Sequence, residues 1–124
     1  MRVFVYFNLH KKVWSVKALE GPDKGRVIAH KEIVHLRNAV PKVSQKGRER
    51  VLRERRKNVH AGIVGELIDG IPENSWVTNP VFPTYNPYLY STFVEKDTET
   101  EWLGAALVAM VAGAGVMAMD LEEE

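Results

Sequence analysis

Two segments near the start of the chain carry the residue pattern of β-strands and commit the first third of the protein to a sheet. Arg2–Phe7 and Val13–Leu19 are rich in β-branched and aromatic residues. Within the second segment Trp14, Val16 and Ala18 alternate with more polar positions, which is the period of a half-buried strand. After a turn rich in glycine and proline, two shorter extended segments follow at 26–30 and 33–36. We expect an antiparallel meander.

The middle of the chain favours one helix followed by another extended segment. Ser44 is a good N-cap for a helix over Gln45–Lys57, in which Gly47 lowers the helix propensity by up to about 1 kcal/mol relative to alanine. Val59–Leu67 reads as extended again, and its two glycines indicate a bulge or a close backbone approach. Four prolines then predict a loop-rich segment over 69–90.

The segment Trp102–Met119 is a run of 18 uncharged residues and allows three interpretations. Its alanine, leucine and methionine content favours a buried helix. The sequence Ala-Gly-Ala-Gly in its middle would instead suit the turn of a β-hairpin. A membrane-spanning helix is the least favoured, because three glycines and six alanines dilute the apolar character that a span requires. A buried helix is our first choice and a hairpin our second.

These segments together predict the α+β class, with a small antiparallel sheet, one basic helix and an apolar C-terminal helix or hairpin. The whole chain, residues 1–124, is expected to be one domain, because its length supports a single core. Residues 1–96 would supply the sheet, the basic helix and a proline- and aromatic-rich loop. Residues 97–124 would supply the apolar element and an acidic tail.

Charge is divided unevenly between the two halves of the chain. Residues 1–60 hold 16 of the 17 lysines and arginines and five acidic residues, whereas residues 61–124 hold Lys96 and eleven acidic residues. The excess in the first half indicates an anionic partner such as a phosphate group. The same division would also suit self-association, with the basic half of one copy against the acidic half of another, so a homo-oligomer is expected as well.

The predicted helix is the strongest candidate for a phosphate-binding element. Between Lys42 and Lys57 there are eight lysines and arginines but two glutamates, so several cations lack a local partner. Guanidinium groups also offer bidentate hydrogen bonds to phosphate oxygens. We predict that the ligand contacts in and just after this helix are Arg48, Arg50, Arg53, Arg56, Lys57, Asn58 and His60. The alternative is a solvated helix face, or one docked on acidic residues of a second copy.

The segment Phe82–Phe93 places five aromatic rings on a loop stiffened by proline. Rings held in this way can stack on nucleobases, at about 1–3 kcal/mol per base. We therefore predict that Phe82, Tyr85 and Tyr88 stack on the base of a bound ligand. The alternative is that these rings cover the edge of the sheet as part of a core.

Enzymatic and metal-dependent functions find little support in the residues. The chain has no cysteine, and its four histidines lack the spacing of metal ligands, so we predict no metal site, no cofactor and no catalytic residue. His60 could act as an acid or base beside a bound phosphate, with His10 or His30 as its partner, and this metal-free nuclease remains the enzymatic alternative. The absence of cysteine also fits a cytoplasmic protein.

A resemblance to a known group rests on GRERVLRERRKNVHA at 47–61, on YNPY at 85–88 and on the start of the chain from YFNLHKK to VIAH. Over about residues 1–95 the chain resembles small proteins encoded by tailed bacteriophages and prophages. This resemblance implies a viral accessory protein, and such proteins often counter host defences. The resulting hypothesis is a binder of a phosphate-bearing nucleotide that sequesters a host immune signal. The alternatives are sequence-independent binding of DNA or RNA, and inhibition of a host protein.

Overall fold

A computed structural model describes residues 1–71 and 79–120. The end of the predicted acidic tail, at 121–124, lies outside these residues. So does the section 72–78 of the loop predicted over 69–90. Within the described residues the chain forms nine strands and one helix. In chain order these are β1 (Arg2–Asn8), β2 (Val13–Ala18), β3 (Val27–Lys31), β4 (Ile33–Val43), α1 (Gln45–Glu54), β5 (Ala61–Ile68), β6 (Pro83–Thr84), β7 (Val94–Glu95), β8 (Ala105–Val111) and β9 (Gly115–Met119).

Seven strands form one antiparallel sheet in the order β3-β2-β1-β5-β4-β8-β9. The chain runs from β1 outward to β3 and returns to build the other half from β4, β5, β8 and β9. The contact between β1 and β5 joins the two halves at the centre of the sheet. Strands β6 and β7 pair separately, and Val81 bridges to Ala118 on the outer edge of β9.

One face of the sheet carries the main core. Val5 lies opposite Val16 on one side and opposite Ile63 on the other, and all three are almost completely buried. Val34 and Leu36 of β4 face Met110 and Val108 of β8 in the same way. The predicted alternation in β2 is confirmed, since Trp14, Val16 and Ala18 are buried on this face. Burial of alternate positions pins the strand register, because a shift by one residue would turn every apolar side chain outward.

The predicted α+β class was wrong, because the structure is mostly antiparallel β with one short helix. The C-terminal element that we expected first as a buried helix is the β-hairpin β8–β9, turning through residues 112–114. Strand β8 pairs with β4 over Ile33–Ala39, and this ladder outweighs the local helix propensity of alanine, leucine and methionine. Among the described residues no helix has both the length and the apolar character needed to span a bilayer.

The basic helix is present and begins where the sequence predicts. The Ser44 hydroxyl accepts a hydrogen bond from the Gly47 amide at 3.2 Å, as an N-cap does. The helix ends at Glu54, three residues earlier than predicted, because Arg55 adopts the left-handed conformation at φ 54° and closes it. Val51 is its one buried residue and anchors it to the rest of the protein.

Candidate functional site

A cavity of about 620 Å³ opens between the main core face and the segments that follow the sheet strands. The sheet contributes apolar side chains to it from β1, β2, β5, β8 and β9. On the other side it is bounded by Val51 of α1, by residues 57–60 after the helix, and by the segment 83–87. The principal apolar lining residues are Val5, Phe7, Trp14, Ile63, Phe93 and Met110.

Aromatic contacts build two walls of this cavity. Tyr85 and Phe93 stack with their ring centroids 5.2 Å apart and their planes 25° apart. Phe7 and Trp14, which are directly paired across β1 and β2, form an edge-to-face contact at 5.1 Å. Ring pairs of these geometries are stabilised beyond the area that they bury. The walls are therefore defined by packing within the protein before any ligand arrives.

His60 and Tyr85 form the most clearly defined polar group on the lining. The Nδ1 atom of His60 lies 2.8 Å from the Asn58 carbonyl oxygen, and its Nε2 atom lies 2.7 Å from the Tyr85 hydroxyl oxygen. A carbonyl oxygen can only accept, so Nδ1 carries a proton, and in the neutral ring Nε2 accepts from the Tyr85 hydroxyl. Burial raises the pKa of the Tyr85 phenol above its ordinary value of 10.0, and the nearby Arg48 charge opposes part of that rise.

Arg48 joins helix α1 to the turn that follows the cavity wall. Its Nε–H lies 3.0 Å from the Pro87 carbonyl oxygen and 2.9 Å from that of Tyr90, and it donates to both. The Gln45 amide also donates to the Ser91 carbonyl oxygen at 2.8 Å. These bonds cross-link two segments about forty residues apart in sequence. Arg48, predicted as a phosphate contact, thus has its Nε–H already engaged by the protein.

A smaller depression of about 170 Å³ adjoins the cavity at the C-terminal end of α1. It is lined by Arg50, Glu54, Arg56, Lys57 and Asn58. The Arg50 Nε–H donates to the Glu54 carboxylate at 3.2 Å, an exposed ion pair one helical turn long. Lys57 and Asn58 line both the depression and the cavity, so the two spaces share a border.

Most cations of the basic segment remain without a carboxylate partner. Within residues 1–71 and 79–120, the Arg50–Glu54 pair is the one ion pair closer than 4 Å. The acidic residues of the second half that the structure describes form no ion pair with helix α1. The local charge therefore stays strongly positive beside the cavity, and an anion placed there would be attracted.

The structure brings some of the predicted ligand contacts together and leaves others apart. Lys57, Asn58, His60 and Tyr85 line the cavity, while Arg50 and Arg56 add to the adjoining depression. Arg53 lies exposed in the last turn of α1 and lines neither space. Phe82 and Tyr88 are 45% and 54% exposed, and neither lines the cavity.

Several residues that line the cavity were not predicted as site residues, because they belong to the sheet. Phe7, Trp14, Val5 and Ile63 lie on the core face and line the same cavity as His60 and Tyr85. The alternation in β2 predicts that face, but nothing in the pattern reveals that part of it borders an open space. No group of three or more metal-ligating side chains suited to a metal ion occurs in the part of the chain that the structure describes.

Comparison with known proteins gives a consistent result. The family model described as "Mycobacterium phage L5 gene 82 protein" matches residues 1–118. The chain is 50% identical over 111 residues to the gene 82 protein of mycobacteriophage L5, which covers 85% of this chain and 86% of that protein. The family model therefore extends beyond the roughly 95 residues over which the sequence motifs suggested a resemblance to phage proteins. It also covers β8 and nearly all of β9. No solved structure matches this chain.

Proposed function

This chain belongs to the family of the mycobacteriophage L5 gene 82 protein, and from that premise we propose that it is a phage-encoded binder of a small phosphate-bearing nucleotide. In this proposal the protein acts by holding its ligand. The ligand would be a nucleotide signal of the host defence, which the phage protein removes from the host cytoplasm by sequestration.

The shared border of the two spaces is the observation that carries the proposal. A nucleotide joins a flat aromatic base to a charged phosphate, and the aromatic-walled cavity lies directly beside a cationic depression. The base would occupy the cavity between its aromatic walls. The phosphate would lie near Lys57, Arg56 and the Asn58 amide, where the two cations form no ion pair with any residue that the structure describes.

Size favours a small ligand over a polymer. Pockets for small molecules and cofactors enclose about 300–1,000 Å³, and the cavity falls within that range. A polymer binder typically spreads its cations along an extended surface, and its affinity falls steeply with salt concentration. Here six of the ten predicted contacts converge on two adjoining spaces.

Calorimetric titration with nucleoside monophosphates and cyclic dinucleotides tests the proposal. We expect at least one of them to bind, and Lys57→Ala to weaken it by about tenfold or more, because a charge-assisted hydrogen bond is lost. Lys24→Ala is the matched control, since Lys24 lies exposed in the turn before β3 and lines neither space. The Lys24→Ala variant should bind the same nucleotide with the affinity of the unaltered protein.

Two other results would replace the proposal. Binding of long single-stranded or duplex nucleic acid without binding of any small nucleotide would favour the polymer binder, and repeating the titration at two salt concentrations would reveal its steep dependence. Absence of binding in every titration would leave inhibition of a host protein as the better hypothesis.

A further inference from the structure

The hydrogen bond between His60 and Tyr85 determines what the Tyr85 hydroxyl can still offer to a ligand. A phenol has one proton to donate and two lone pairs that accept. The Asn58 carbonyl oxygen requires a proton on His60 Nδ1, so in the neutral ring Nε2 accepts a hydrogen bond from the Tyr85 hydroxyl. The Tyr85 oxygen is then left with accepting capacity alone.

Two polar groups that the sheet contributes to the lining, in Asn8 and Trp14, do not compensate for this bias. Asn8 is engaged within its own turn, because its side-chain oxygen accepts from the amides of His10 and Lys11 and its amide lies 3.4 Å from the Ser15 hydroxyl. The Trp14 indole nitrogen has no partner among the described residues, but it is covered by protein and is not exposed to the cavity. Tyr85 thus presents an acceptor on a wall that is otherwise mostly apolar.

We propose that the cavity selects bases carrying an exocyclic amino group, which would donate a hydrogen bond to the Tyr85 oxygen. This inference rests on the proposed function, since it assumes that the base occupies the cavity. A site that hydrogen-bonds a particular group of its ligand discriminates against the analogue that lacks the group. Adenine, guanine and cytosine nucleotides carry such a group, whereas uracil and hypoxanthine nucleotides lack it and offer a ring N–H as their donor.

Two matched pairs of nucleotides test the selection by titration at about pH 8, where imidazole side chains are generally neutral. Adenosine and purine riboside monophosphates differ by the 6-amino group, and guanosine and inosine monophosphates differ by the 2-amino group. We expect the amino-bearing member of at least one pair to bind roughly 2- to 10-fold more tightly, which is the value of one neutral hydrogen bond. Equal affinities within both pairs, or tighter binding of the analogues, would overturn the inference while leaving the proposed function standing.

Two variants separate this role of Tyr85 from a structural one. Tyr85→Phe keeps the stacked ring and removes the acceptor, so the preference within the pair should disappear. His60→Ala removes the acceptor of the Tyr85 hydrogen bond, so the hydroxyl can donate to a ligand as well as accept from it. The preference should then shrink with the ring still in place. If both variants retain the full preference, Tyr85 is not the selecting group and the inference fails. If none of the four nucleotides binds the unaltered protein, the failure extends to the proposed function for these ligands.

Discussion

Replacing Gly47 with alanine should destabilise the protein, although the same change would stabilise an isolated helix. Gly47 lies in the first turn of α1, and a Cβ atom built there would come 2.5 Å from the Cβ of His60. Real Cβ atoms do not approach so closely, and the atom that it meets is the stem of a side chain held at both ring nitrogens. Either α1 or the segment carrying His60 must therefore move.

The two opposing effects can be estimated. Glycine to alanine in a helix gains up to about 1 kcal/mol. Overpacking of a fitted contact costs typically 1–3 kcal/mol. The net expectation for Gly47→Ala is a loss of about 0–2 kcal/mol in the free energy of unfolding, accompanied by a displaced His60 and a weakened contact with Tyr85.

A double-mutant cycle with His60→Gly isolates the steric term. Urea unfolding gives the free energy of the parent, both single variants and the double variant. In the His60→Gly background the opposing Cβ is absent, so Gly47→Ala should stabilise by up to about 1 kcal/mol. If Gly47→Ala stabilises both backgrounds equally, the close approach to His60 does not constrain this position and the reasoning is refuted.

Three further predictions concern the anchoring of helix α1 and the ionisation of tyrosine. Arg48→Ala should lower the free energy of unfolding by about 1–3 kcal/mol, because two carbonyl oxygens lose their donor; urea unfolding checks this. Ser44→Ala should cost about 1 kcal/mol through loss of the N-cap, and an unchanged urea midpoint would contradict it. Since the folded-state pKa values of Tyr85 and Tyr90 lie above 10.0, their stabilising contribution is fully present below that pH and is lost as the pH rises through the raised values. Tyr90→Phe, which removes the hydrogen bond to Glu99, should make unfolding measured across pH 10.0 less steeply dependent on pH.

Part of the fold is predictable from local pattern. The alternation in Val13–Leu19 predicts strand β2 with its inner face, and the β-branched and aromatic residues of Arg2–Phe7 predict strand β1. Ser44 gives the start of α1. The predicted extended segment at 33–36 is too short, because β4 runs from Ile33 to Val43 and includes Pro41. Proline is tolerated there since β4 is paired with β8 only as far as Ala39, so the side that lacks an N–H has no strand partner.

Only some residues of the candidate site were predictable from the sequence. Lys57, Asn58, His60 and Tyr85 were proposed from charge and aromatic content, and they line one cavity. Arg48 belongs to the same charge pattern, yet its Nε–H is bonded to backbone carbonyl oxygens of a distant turn. Composition reports how many cations a segment holds, whereas the pairing of each cation depends on what the fold places beside it.

By itself the sequence determined the features that depend on neighbouring residues: the inner face of β2, and the N-cap and positive charge of α1. Only the tertiary structure decided that Ala105–Met119 is a hairpin, and that a cavity borders the basic helix. The physical reason is distance along the chain. A strand is stabilised by hydrogen bonds to a partner strand. The partner of β8 is β4, which lies about seventy residues earlier in the chain. A cavity likewise exists only where remote segments meet without filling the space between them.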